Sequence, residues 1–86
     1  MPKVEIYSSA ICAYCTAAKT LLKQKGLDYT EIRIDTDPAH MQEMLGRARR
    51  RTVPQIFIDN HHIGGYEDLV AADRNGELAK LIGGGG

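Results

Sequence analysis

The sequence predicts an α/β domain of three layers, α/β/α, built on a four-stranded mixed sheet in the order β-α-β-α-β-β-α. Three observations predict it. Short strand-like runs, alternating or continuously apolar, recur between longer stretches of helical period. Each helical stretch carries one apolar stripe, enough to lay on one face of a sheet. Gly and Pro fall where one pattern gives way to the other.

Strand one covers about 3–7, where Val4 and Ile6 alternate with polar neighbours. Helix one covers about 14–25, with Ala17, Ala18, Leu21 and Leu22 on one face, and stops at Gly26, a common C-terminal signal. Strand two covers about 29–34 and places Ile32 and Ile34 on one face. Thr36-Asp37-Pro38 reads as a helix start, with an Asp cap and Pro at the first helical position. Helix two then runs to about 49, burying Met41, Met44, Leu45 and Ala48. Gln55-Ile56-Phe57-Ile58 is the continuous run expected of a central strand. Asp59-Asn60-His61 turns the chain into a short fourth strand at His62-Ile63, and Gly64-Gly65 breaks it. Helix three covers about 66–74 and a last short helix about 77–82. The first crossover is expected to be right-handed, making strands one and two parallel. The short turn between strands three and four makes them an antiparallel hairpin. The domain is expected to span 1–82, with 83–86 a flexible Gly tail.

Composition narrows the function classes. The chain has 86 residues, enough for one small domain with a thin margin of stability. Its 43% hydrophobic and 26% charged content fits a soluble globular protein, and the zero net charge supplies no general drive toward nucleic acid or anionic membrane. No apolar run approaches the ~20 residues that span a bilayer. The N-terminus enters a strand pattern directly, without an export signal, so a cytoplasmic location is expected. In that compartment a close cysteine pair points to catalysis or metal binding rather than a static staple.

The only two cysteines, Cys12 and Cys15, lie where strand one turns into helix one. A helix N-terminus offers unpaired N–H groups and a positive dipole end, which favour thiolate over thiol. Cys12 is therefore the expected nucleophile. Cys15, one helical turn along, is close enough to close a disulfide, an arrangement suited to thiol–disulfide exchange. The spacing is also that of half a zinc site. Completing one would need two of His40, His61 and His62, and adjacent histidines on a tight turn point apart.

Cys12-Ala13-Tyr14-Cys15, Thr52-Val53-Pro54 before strand three, and Gly64-Gly65-Tyr66-Glu67-Asp68 opening helix three together resemble the glutaredoxins of the thioredoxin-like superfamily, over nearly the whole chain. The small size, with no extra N-terminal strand and helix, favours glutaredoxin over thioredoxin. The resemblance implies a glutathione-dependent thiol–disulfide oxidoreductase acting on protein disulfides and protein–glutathione mixed disulfides. It implies Cys12 as nucleophile, Cys15 as resolving thiol and glutathione as reductant. Glutathione would be held by Tyr14, Thr52, Val53, Pro54, Gly65, Glu67 and Asp68. Tyr14 would stack over the disulfide or its glutathione adduct. A cis Val53–Pro54 bond would present the Val53 backbone to a cysteinyl peptide. The N–H groups of Glu67 and Asp68 would take the α-carboxylate of the γ-glutamyl group, and the Asp68 side chain its α-ammonium.

The chain departs from the family pattern in three places. Ala13 replaces the usual proline, adding an N–H donor beside Cys12 and loosening the turn. Family variants without that proline resemble those able to share a two-iron two-sulfur cluster between two subunits, through Cys12 and glutathione. This makes a cluster carrier or sensor the alternative function, with neutral drift to a good helix former as the plain account of Ala13. Ser8-Ser9-Ala10 and Met41 stand where basic or amide groups often meet the glycine carboxylate of glutathione, and neither can. Arg49-Arg50-Arg51 is a candidate substitute, or simply a solvated helix end. Lys19, Lys23 and Lys25 read as a solvated face. The depleted carboxylate clamp raises a further rival, a redoxin reduced by thioredoxin reductase, against which the Gly64-to-Asp68 motif argues. A monomer is expected, dimeric only around a cluster.

Overall fold

The computed structural model describes residues 2–83. In chain order the elements are β1 (Val4–Ser8), α1 (Ala13–Gln24), β2 (Thr30–Arg33), α2 (Pro38–Ala48), β3 (Gln55–Ile58), β4 (His61–Gly64), α3 (Tyr66–Arg74) and α4 (Glu77–Leu81). The sheet order is β2-β1-β3-β4. β1 runs parallel to β2 and antiparallel to β3, and β3 is antiparallel to β4. This is the expected thioredoxin-like α/β/α architecture with a mixed four-stranded sheet. Beyond Gly83 the expected tail lies outside the described residues. Among the described residues no helix is long and apolar enough to cross a membrane.

Local chemistry sets the helix ends. Asp37 caps α2 by accepting the Ala39 N–H at 2.9 Å, and Pro38 occupies the first turn, where its missing N–H costs nothing. α1 gives way at Gly26, whose φ of 73° is the left-handed conformation that lets the chain reverse. The Leu27 N–H then closes onto the Leu22 carbonyl at 3.0 Å.

Strand alternation sorts the core into two faces. Val4, Ile6, Ile56 and Ile58 point to one face and meet Ala18 and Leu22 of α1, Leu69 and Ala72 of α3 and Leu78 of α4. Tyr7 and Phe57 point to the other and meet Met44 and Ala48 of α2. On this second face polar groups supplement the packing. Arg47 lies 4.0 Å over the Phe57 ring and donates to Tyr7 Oη, Glu5 Oε1 and Asn60 Oδ1. Tyr7 donates in turn to Glu43. Burial, then the bond to Glu43, pushes the Tyr7 phenol above its ordinary range.

The structure differs from expectation in detail. β1 is buried on both faces; even Glu5 is only 8% exposed, because Arg47 covers it. Met41 and Leu45 are half-buried, leaving Met44 and Ala48 as the buried stripe of α2. Lys19 is not simply solvated, since it donates at 2.9 Å to Glu31, which also accepts from the buried Ser8 hydroxyl. β4 is longer than His62-Ile63. Asp59 and Asn60 take φ of 50° and 70° and make the turn alone, so His61 opens the strand and Gly64 pairs with Ile56.

Because β1 and β3 are antiparallel, the end of β1 meets the beginning of β3, and Ile56↔Gly64 brings the end of β4 beside them. The loop to Cys12, the Thr52–Pro54 segment and the Gly64–Asp68 turn therefore emerge at one end of the sheet.

Candidate active site

Cys12 is the N-cap of α1, with extended backbone at φ −155° and ψ 104°. Its Sγ accepts the Cys15 N–H at 3.1 Å, using one of the donors a helix start leaves free. Cys12 and Cys15 form a disulfide, with Cα atoms 5.2 Å apart. Cys12 is half-buried, whereas Cys15 is fully enclosed in the core. In this oxidised state the donor that reaches Cys12 Sγ is Cys15 N–H.

Across from Cys12 lies the segment before β3. The Val53–Pro54 bond is cis, and the Val53 carbonyl oxygen lies 3.8 Å from Cys12 Sγ. Beside it a groove is lined by Tyr14, Thr52, Val53, Pro54, Gly65, Tyr66, Glu67 and Asp68. Every residue expected to contact glutathione borders this one groove. Tyr66 is the wall residue the sequence reading passed over. Its signal was its place at the first helical position after Gly65, and its ring packs 5.9 Å from that of Tyr14.

The far end of the groove is the start of α3. Leu69 N–H makes the first helical bond, to the Gly65 carbonyl, so the N–H groups of Tyr66, Glu67 and Asp68 precede the helical ladder. The Asp68 carboxylate accepts from Gly65 N–H at 2.9 Å and from Arg50 at 3.2 Å. Gly65 N–H first, then Arg50, hold that carboxyl below the usual range. Gly64 has φ 118°, and a side chain there would run into the Asp68 carboxylate. Arg50, considered for a glycine carboxylate, is thus paired with Asp68 at the start of α3.

The loop before Cys12 is also anchored. Asp35 accepts the Ala10 N–H at 3.0 Å and a two-pronged pair from Arg33 at 2.8 Å. Arg33 first, then Ala10 N–H, hold Asp35 far below the usual carboxylate range. His61 and His62 diverge, one toward Glu77 and the other toward Gln55. Among the described residues no three His, Cys, Asp or Glu side chains gather as a metal site.

A protein-family model described as Glutaredoxin matches residues 4–63. The chain belongs to the glutaredoxin family. It is 50% identical over 82 residues to Glutaredoxin 3 of Escherichia coli strain K12, covering 95% of this chain and 99% of the relative. It resembles the solution structure of glutaredoxin from Brucella melitensis with a TM-score of 0.80 and 43% identity, over 92% of this chain and 86% of that one. It resembles the crystal structure of a buckwheat glutaredoxin–glutathione complex with a TM-score of 0.84 and 31% identity, over 93% and 76% of the two chains. This glutaredoxin is a glutathione-dependent thiol–disulfide oxidoreductase, and its partners are glutathione and proteins carrying disulfides or glutathione adducts.

Proposed function

We propose that Cys12 is the nucleophile, Cys15 the resolving thiol, and the groove from Tyr14 to Asp68 the glutathione site. The observation that carries this reading is the bond from Cys15 N–H to Cys12 Sγ at the N-cap of α1, which favours a thiolate beside the groove. On a protein–glutathione mixed disulfide, Cys12 thiolate attacks the glutathione sulfur and the protein leaves as thiolate. A second glutathione thiolate attacks the glutathione sulfur of the adduct, yielding oxidised glutathione and free Cys12. On a protein disulfide, Cys12 attacks one sulfur and the other leaves as thiolate. Cys15 thiolate then attacks Cys12 Sγ, freeing the second protein thiol and closing Cys12–Cys15. Two glutathione molecules reopen that disulfide.

The groove chemistry supports the remaining assignments. Thr52, Val53 and Pro54 form the wall nearest Cys12, where the Val53 backbone receives the cysteinyl part. Gly65 and the N–H groups of Glu67 and Asp68 receive the γ-glutamyl carboxylate, and the Asp68 carboxylate its ammonium. Tyr14 covers the sulfur end of the groove. Cys12→Ser is expected to abolish all exchange. Cys15→Ser is expected to lose disulfide reduction while keeping deglutathionylation, measured with glutathione and glutathione reductase. The reverse pattern would exchange the two roles.

A second reading rests on Ala13, which leaves the first turn of α1 without a proline ring. Two copies would share a two-iron two-sulfur cluster, each giving Cys12 and each accompanied by one glutathione, four thiolates in all. One chain alone offers too few ligands. Reconstitution with iron, sulfide and glutathione would then give a coloured dimer, absent in Ala13→Pro; a colourless monomer would remove this reading. We place the activity in the cytoplasm, where reduced glutathione maintains thiols, in a monomeric domain of residues 1–82 followed by a tail at 83–86.

A further inference from the structure

We propose that Gln55 is a positioning residue for the Thr52–Val53 wall of the groove, and that His62 fixes the orientation of its amide. The inference rests on the assignment of that wall to glutathione.

Gln55 opens β3 and is fully buried. A buried amide is costly unless both ends are paired. Here both are. Nε2 donates to the Thr52 carbonyl at 3.0 Å and to Thr52 Oγ1 at 3.1 Å. Oε1 lies 2.7 Å from His62 Nε2. The Thr52 carbonyl can only accept, so the NH₂ end of the amide must face it. Oε1 then faces His62 and requires a donor, which assigns the imidazole proton to Nε2. Stacking on Phe57, with centroids 4.8 Å apart and planes 24° apart, holds the His62 ring in place.

The Thr52–Val53 wall has little else beneath it. Residues 50–54 belong to no helix or strand and make none of the backbone–backbone bonds found in the turns and loops of the described residues. Thr52 is exposed, yet its carbonyl and hydroxyl both rest on the buried amide. The next residue sets its carbonyl beside Cys12 Sγ. An interior hydrogen bond thus fixes a surface wall without touching the substrate. Glutamate at this position would keep an acceptor for His62 but would turn an oxygen toward the Thr52 carbonyl. Leucine would fill the space and hold nothing.

The test is steady-state turnover of a mixed disulfide between glutathione and a short cysteine peptide. Gln55→Glu, Gln55→Leu and His62→Phe are compared with Asp68→Ala. Both Gln55 variants are expected to raise KM about five- to tenfold, the scale of one or two lost hydrogen bonds, with kcat within about twofold. His62→Phe, which keeps the stack and removes the donor, is expected to raise KM less and in the same direction. Circular dichroism checks the fold, and Gln55→Leu carries the test if Gln55→Glu does not fold. An unchanged KM in folded Gln55→Leu, with KM raised in Asp68→Ala, overturns this inference and leaves the groove assignment standing. An unchanged KM in both overturns the groove assignment as well. A fall in kcat at constant KM also overturns the positioning role.

Discussion

The two faces of the sheet are held by different forces. Under α1 and α3 the buried residues are aliphatic: Val4, Ile6, Ile56 and Ile58 against Ala18, Leu22 and Leu69. Under α2 the apolar cluster is smaller, and Tyr7 and Phe57 share it with Arg47, Glu43, Glu5 and Asn60. Removal of apolar surface from water is non-directional, so the first face depends on volume and is indifferent to charge. The second depends on angles, ionisation and salt. It also continues toward the active site, through Phe57 to His62, Gln55 and Thr52. The aliphatic face carries the helix that holds the cysteines, and the polar face carries the wall opposite them.

The largest expected effect is on the aliphatic face. Leu22→Ala removes a fully buried side chain and should cost about 2–5 kcal/mol. At about 4–8 °C per kcal/mol for a domain of this size, the melting temperature should fall by at least about 8 °C. The loss should be the same at low and high salt. Arg47→Met should cost less, about 1–3 kcal/mol, since it keeps an apolar stem over Phe57 and removes the donors to Tyr7, Glu5 and Asn60. That loss should shrink at high salt. Denaturant melts of both variants at two salt concentrations test the contrast, and an Arg47→Met loss as large and as salt-independent as that of Leu22→Ala would break it.

The smallest effect concerns His62. Burial first, then the charge of Arg50, hold its imidazole below the ordinary range; His61 and Arg47 push the same way and Asp68 opposes them. A depressed folded pKa means that the unfolded chain binds the proton more readily. The stability held by neutral His62 is therefore present above about pH 6.5 and is lost as pH falls through that value toward the folded pKa. Melting between about pH 7.5 and 5.5 should show a modest decline that His62→Phe flattens. An identical slope in the variant would remove His62 from the account.

Most of the fold was legible because local chemistry and burial agree. Asp37-Pro38 starts α2 and Gly26 ends α1 in the expected way. The period-two pattern of β1 was visible, but the burial of Glu5 was not, because its cover comes from Arg47, 42 residues away in sequence. The edges of β4 were misjudged for a related reason. Four residues without clean alternation show a strand only through their pairing with β3. At the site, the cysteine pair and both groove segments stood out as residue types with special backbone needs. Arg50 against Asp68 and Gln55 against His62 did not. Such pairs join side chains whose meeting depends on where loops settle, and no spacing rule announces them.

Burial of Cys15 at the start of α1 gives the oxidised protein a handedness of reaction. An incoming thiolate must approach along the sulfur–sulfur axis, and the core closes that line on one side. On the proposed assignment the disulfide therefore opens by attack on Cys12, with Cys15 the departing sulfur. In the proposed cycle every exchange with a partner then passes through Cys12 Sγ, and the burial of Cys15 reinforces the order that the helix start already sets.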